Sequence, residues 1–355
     1  MKTITVFINP AERLCQRPAA PVVPTRPAFP GRSSDMRIPH ASHTVRASVL
    51  LAAALGVAMT AGACSSSSAA GGSGSSLSGS AKIDAVGAEN EYADVIGQIG
   101  GQYVNVSAIM SNPNTDPHTF EASAQVAAEV SAAQLVVQNG VGYDDFMTGI
   151  EQANAGSSRK VVNVQQLLGL PSTTPNPHLW YKPTTMPAVA AAIASDLESI
   201  DPSHASYFKA NLTTFDDSLV AWNTAVAQLK SKFGGDAVAT TEPVADYLLQ
   251  AAGIDNLTPW AFQADIMNGN DPSPQDVATE QSLFTQHKVK AFVYNQQVTD
   301  SLTDSLLTLA HQNHIPVVGV YETMPTPGYD YQKWMEAEVS ALSNAFGSGV
   351  SAPTL

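Results

Sequence analysis

Between positions 201 and 233 the chain runs 33 residues without a glycine, opened by Asp201-Pro202 and followed by Gly234-Gly235. Its apolar positions are Tyr207, Phe208, Leu212, Phe215, Leu219, Trp222, Val226 and Leu229, separated by ones, threes and fours. That spacing lays one apolar face along a helix. Asp201 is placed to cap it, and Pro202 suits the first helical position, where a missing N–H costs nothing. About thirty residues at about 1.5 Å each make a rod near 45 Å long. This is more than a crossover between neighbouring strands requires, so the segment predicts a rigid connection between two lobes.

The flanking sequence fits that expectation. Upstream, strand patterns at 82–86, 104–109, 135–138 and 160–164 alternate with helix patterns at 91–100, 123–133, 144–153 and 183–200. Downstream, strands at 237–241, 291–294 and 317–321 alternate with helices at 244–252, 273–287, 301–313 and 331–346. Such βαβα alternation predicts parallel sheets covered by helices. The fold class is therefore α/β, with two parallel-sheet Rossmann-like lobes joined by one long rigid helix. The expected division is 82–200 for the first lobe, 201–233 for the linking helix, 234–347 for the second lobe and 348–355 for a tail.

The first 81 residues have a different character. Six prolines between Pro10 and Pro30 and little apolar periodicity preclude a core there, and Met36 is an alternative start. Arg37 and Arg46 then precede a mostly apolar run of 17 residues at 47–63. A positive region, an apolar run and small residues before a cleavage point read as a secretory signal. Ala61-Gly62-Ala63-Cys64, followed by Ser65, resembles a bacterial lipoprotein cleavage site, with Ala61 where that pattern prefers Leu. This assigns 1–63 to an N-terminal extension and signal peptide, and 64–81 to a Ser/Gly tether starting at a lipidated Cys64. Diacylation of Cys64 would hold the protein on the extracytoplasmic face of the membrane. The other reading of the run, a membrane span, is short for a bilayer.

Charge and cysteine content narrow the function. The chain has 17 basic and 31 acidic residues; seven of the former and two of the latter precede Cys64, leaving 10 against 29, a net charge of −19. That surface repels phosphate backbones, so no nucleic-acid partner is expected. It does not repel small cations. Cys15 and Cys64 are the two cysteines, both upstream of the folded region. Disulfides, thiolate metal sites and a cysteine nucleophile are thus excluded from the body.

Four side chains stand at strand ends or in the loops beyond, where α/β folds place ligands. His118 and His178 each follow a proline just before a helix, and Glu242 and Glu322 each follow a strand. Singly, each has an ordinary explanation: a surface histidine, a first-turn acid favoured by the helix dipole, a solvated loop acid. Together, two Pro-His loops in one lobe and two acids in the other supply imidazole and carboxylate for a divalent ion of borderline hardness. His311 and His314 lie near a helix end, as does His287; His204 falls in the first turn of the long helix and is expected in solvent; His40 and His43 lie in the signal region. Trp180, Trp260 and Trp334 are expected to pack rather than to stack on a ligand.

Asp116-Pro117-His118-Thr119-Phe120-Glu121, Asn139-Gly140-Val141-Gly142-Tyr143-Asp144, Asn176-Pro177-His178-Leu179-Trp180 and the Asp201-Pro202 helix occur in that order. This order resembles the zinc/manganese solute-binding proteins of ABC importers, the TroA/ZnuA-like metal receptors, over about 82–346. The resemblance implies the metal-receptor periplasmic-binding-protein fold. It also implies Zn2+ or Mn2+ as cargo between the lobes, and ligands at His118, His178, Glu242 and Glu322, with Asp300 a rival to Glu322. An ABC-type permease is the implied partner, and a monomer is expected. Two departures stand out. No His-rich acidic loop separates His118 from His178, and the third ligand is Glu rather than His, which makes the site harder and favours Mn2+ more than three imidazoles would.

Two other classes compete. A metal-dependent hydrolase could use an open His/Glu site to activate water, but the chain contains no Gly-x-Ser-x-Gly, no His-Glu-x-x-His and no phosphate-cradling glycine loop. An adhesin-like surface lipoprotein would gain no stability from metal.

Overall fold

In the computed structural model, residues 81–355 are described, apart from 115 and 155–157. The signal region, the tether and Cys64 lie outside the described residues. The first lobe is built from β1 (Ile83–Glu89), α1 (Asn90–Gly100), β2 (Val104–Met110), α2 (Ala124–Ala132), β3 (Leu135–Gln138), α3 (Asp145–Ala153), β4 (Lys160–Asn163), α4 (Val164–Leu167) and α5 (Thr185–Ile200). Its four strands are parallel in the order β2-β1-β3-β4. After α6 (Ala205–Phe233) come β5 (Ala237–Thr240), α7 (Asp246–Ala251), β6 (Asp255–Asn256), α8 (Trp260–Met267), α9 (Pro274–Thr285), β7 (Ala291–Asn295), α10 (Ser301–Gln312), β8 (Val317–Val320) and α11 (Tyr331–Ser348). These form a second parallel sheet, β6-β5-β7-β8. Each sheet reverses its strand order beside its first strand. The loops there part and leave a crevice at the carboxyl ends of the strands.

The long helix forms because its apolar stripe is buried on both lobes. Phe208, Phe215, Leu219, Trp222, Val226 and Leu229 are all covered. Phe208 packs edge-on to Tyr103, and Asn211 Nδ2 donates to the Ile99 carbonyl at 2.9 Å, which fixes the first half of the helix to the first lobe. Trp222 meets Tyr331 at 5.8 Å and Phe233 stacks on Phe346 at 5.5 Å, which fixes the second half to α11.

The expected start of this helix needs correction. Pro202–His204 is a separate turn of 3-10 helix, and Asp201 makes no side-chain cap to the backbone. The Asp201 carboxylate instead holds the Ser203 hydroxyl and His204 Nδ1, the latter at 2.6 Å. His204, expected in solvent, is partly covered: its ring stacks on Tyr103 at 3.7 Å and its side chain is 26% exposed.

Other boundaries also differ. β1 continues to Glu89 because its pairing with β2 runs to Met110. Residues 241–245 form turns rather than the start of a helix, so α7 begins only at Asp246. α4, β6 and α8 have no counterpart in the sequence-based expectation. The tail is tied down as well: Ala352 exchanges backbone hydrogen bonds with Val317 and Gly319 at 2.8 Å each. Among the described residues, no helix is long and apolar enough to cross a membrane.

Candidate metal centre

The two histidine loops are built by the same local device. The Asp116 side chain accepts the backbone N–H of His118 at 2.8 Å, and the Asn176 side chain accepts that of His178 at 2.9 Å. An Asx residue bonding two residues ahead, with proline between, is a self-contained turn. The second loop is fastened by the motif at 139–144. Asn139 Nδ2 donates to the Pro177 carbonyl at 2.8 Å, while the Asp144 carboxylate accepts the N–H groups of Asn139 and Gly140 at 2.6 and 2.8 Å. Gly140 has φ +78°, and a Cβ there would lie 2.9 Å from Gln165 Cβ, so only glycine fits this bend.

His118, His178 and Glu322 converge, with one ligating atom from each lying within 4.8 Å of the others. Glu322 Oε2 lies 3.1 Å from His118 Nε2 and 3.2 Å from His178 Nε2, and accepts the Tyr143 hydroxyl at 3.0 Å. The side chains of His178 and Glu322 are fully buried; that of His118 is 21% exposed. His118 borders a cleft of about 280 Å3 lined from both lobes by Tyr143, Pro177, Trp260 and Met267, among others. Trp260, expected to pack, is 43% exposed. A larger cavity of about 680 Å3 lies against Asp246 and Asn256 and is also lined by Asn176, which holds the His178 turn.

The protonation of His178 follows from its neighbours. Asn176 Nδ2 donates to the Pro243 carbonyl at 2.7 Å, and Asn176 Oδ1 accepts a backbone N–H, so the amide has one possible orientation. His178 Nδ1, 2.8 Å from that same Oδ1, must therefore carry a hydrogen. Burial outweighs the Glu322 carboxylate here and holds the ring below its ordinary pKa, hence neutral. Its Nε2 is then a lone pair facing a carboxylate oxygen. Two electron-rich atoms at 3.2 Å call for a cation close to both.

The surrounding charges agree. Burial works against an ionised Glu322, but the charge and hydrogen bond of the His118 imidazole beside it outweigh burial, and its carboxyl stays well below the usual range. His118 loses charge stability through burial and regains more from Glu322 and Asp116, so its pKa is raised. Glu242 is 2% exposed and is pushed well up, first by burial and then by the Glu322 charge. It lies outside the three-residue cluster: its Oε1 accepts Asn295 Nδ2 at 3.0 Å, and its Oε2 is buried without a partner. Asp300 is elsewhere, capping α10 by accepting the Thr303 N–H at 2.7 Å.

Several neighbours went unread in the sequence. Asn295 touches Glu322, as does Tyr143, which the sequence offered as part of the 139–144 motif without a role of its own. Glu89 and Glu91 are buried without hydrogen-bond partners, and burial followed by neighbouring carboxylates raises both. Their one sequence signal was acids beside an apolar helix face, which usually marks a solvated edge.

The chain is similar to known proteins. The family model described as the periplasmic zinc-uptake complex component A matches residues 86–345. The metal ABC transporter substrate-binding lipoprotein ScbA of Streptococcus cristatus is 23% identical over 283 residues, covering 76% of this chain and 86% of that protein. The manganese ABC transporter substrate-binding lipoprotein PsaA of Streptococcus anginosus is 21% identical, covering 66% and 78%. The solved periplasmic zinc-binding protein TroA of Treponema pallidum superposes with a TM-score of 0.65 at 17% identity, over 75% of this chain and 99% of that one, so the fold is shared. With the family model spanning both lobes and the linking helix, the chain belongs to the zinc-uptake complex component A family.

Proposed function

We propose that the protein is an extracytoplasmic receptor that captures Zn2+ or Mn2+ between its lobes and delivers it to an ABC-type permease. The observation that carries this reading is the His178 Nε2 lone pair aimed at Glu322 Oε2, with His118 Nε2 beside the same oxygen. His118, His178 and Glu322 are the first three ligands, and the unpartnered Oε2 of Glu242 is the fourth. The protein is a binder, not an enzyme. A hydrolase needs room for water and substrate at the metal, whereas His178 and Glu322 are sealed from solvent. The relatives named for metal or manganese ABC transport support the cargo and the permease.

The test is calorimetric titration with Mn2+ and Zn2+ across pH. Bound metal replaces protons on His118 and Glu242, whose pKa values are both raised, whereas His178 is already neutral. Affinity is therefore expected to fall as pH drops, beginning above the unperturbed histidine range of about 6.5. Metal uptake near neutrality should release protons, read from the dependence of the heat on buffer ionisation. Uptake without proton release, or no uptake, would overturn the assignment.

Asp300→Ala separates cap from ligand. Loss of the cap should cost about 1 kcal/mol in denaturant unfolding, with metal affinity unchanged. A clear drop in affinity would return Asp300 to the metal.

The mature protein is a monomer anchored through lipidated Cys64. Cys64→Ser should shift it from the membrane to the soluble fraction while metal binding stays intact. Retention in the membrane would identify the apolar run at 47–63 as a span instead.

A further inference from the structure

Asn295 closes β7 between the two carboxylates and is fully buried. Its Nδ2 donates to Glu322 Oε1 at 2.7 Å and to Glu242 Oε1 at 3.0 Å. An amide nitrogen has two hydrogens, and both are used here. The residue is held on every side. Its backbone N–H donates to Thr241 Oγ1 at 2.9 Å, and its Oδ1 accepts the Gln297 N–H at 3.0 Å. Because a backbone N–H faces Oδ1, Nδ2 must be the atom that faces the carboxylates. Gln297 continues the clasp, its Oε1 accepting the backbone N–H groups of both Glu322 and Thr323. The loop after β7 thus holds the backbone and one side-chain oxygen of Glu322.

The geometry points to Asn295 as a positioning residue that sets cargo selectivity by engaging one oxygen of each glutamate. This rests on the metal-receptor reading above and extends it. The amide commits one lone pair of each Oε1 and fixes the carboxylate planes, so that Oε2 is the oxygen of Glu322 facing both histidines and the unpartnered oxygen of Glu242. Two imidazole nitrogens and two carboxylate oxygens make a four-donor set. Zn2+ takes four ligands of this kind tetrahedrally, whereas Mn2+ suits octahedral, oxygen-rich surroundings. Two carboxylates released from the amide could each turn both oxygens inward and offer six donors. The amide therefore works against the Mn2+ preference that two carboxylates would otherwise give.

The experiment compares wild type with Asn295→Leu, which keeps the branched side-chain shape and removes the donor. Mn2+ against Zn2+ competition and the visible absorption of the Co2+ complex are measured on both. Wild type should give the intense Co2+ band of a four-coordinate ion. In the variant the band should weaken several-fold, and the Mn2+:Zn2+ affinity ratio should rise about tenfold, the low end of what second-layer changes do to metal sites. A metal-binding variant with unchanged ratio and unchanged band overturns the inference, as does a weak six-coordinate band in wild type. If Asn295→Leu does not fold, Asn295→Ser, with a single hydroxyl donor, should move both readouts the same way by less, and no movement is again a refutation. A wild-type protein that binds none of Co2+, Mn2+ and Zn2+ refutes the receptor reading itself, which separates the two failures.

Discussion

Glu322→Gln should lower Zn2+ and Mn2+ affinity by more than about 100-fold, since loss of a mere second-layer partner already costs 10 to 100-fold. Its Oε2 is the atom nearest to both histidine nitrogens, and Tyr143 donates to it as well. The amide keeps the shape but removes the charge, and an amide nitrogen turned toward His178 Nε2 would occupy the place of the ion. Thermal unfolding with and without metal provides the measurement. In wild type, metal at about 100 times its dissociation constant adds about 2.7 kcal/mol, and the variant should lose that increment. Its metal-free unfolding should still be a single cooperative transition. A variant that binds like wild type would remove Glu322 from the centre.

Trp222→Ala should destabilise the protein by about 3 to 5 kcal/mol, the usual cost of emptying a buried tryptophan site. Trp222 is fully covered at the middle of α6 and meets Tyr331 edge-to-face. Tyr331 in turn donates its hydroxyl to the Trp180 carbonyl in the first lobe at 2.7 Å, so the cavity would open where both lobes meet the helix. Trp222→Phe should cost far less, because it keeps a ring against Tyr331 and deletes an indole N–H that has no buried partner. Denaturant unfolding of the three proteins measures the difference. An alanine variant within 1 kcal/mol of wild type would mean that the helix is not a structural spine.

The geometry around the centre explains why its parts differ in how readily they are read from the chain. The Asp116 and Asn176 turns each close over two residues, so their form is carried by three consecutive side chains. The stripe from Phe208 to Leu229 repeats over several turns and needs no partner to be recognised. Glu242 was legible as an acid beyond a strand, but its turn and its unpaired oxygen depend on neighbours far along the chain. Asn295 sits in an ordinary strand and gave no signal, because its role lies in bonds to Glu242 and Glu322, 53 and 27 residues away.

Local periodicity and short motifs therefore determined the α/β class, the linking helix, the two histidine loops and the family resemblance. All of these arise from interactions within a few residues, whose geometry repeats along the chain. Tertiary structure alone decided that His118, His178 and Glu322 share one point, that Asp300 is a cap, that His204 stacks on Tyr103, and that Asn295 joins both glutamates. It also decided the charge states: Glu322 and Asp116 raise His118 against burial, burial and the like charge of Glu322 raise Glu242, and His118 holds Glu322 low against burial. The physical reason is that desolvation and Coulomb energy depend on which groups meet in space, and a linear pattern holds that information only for near neighbours.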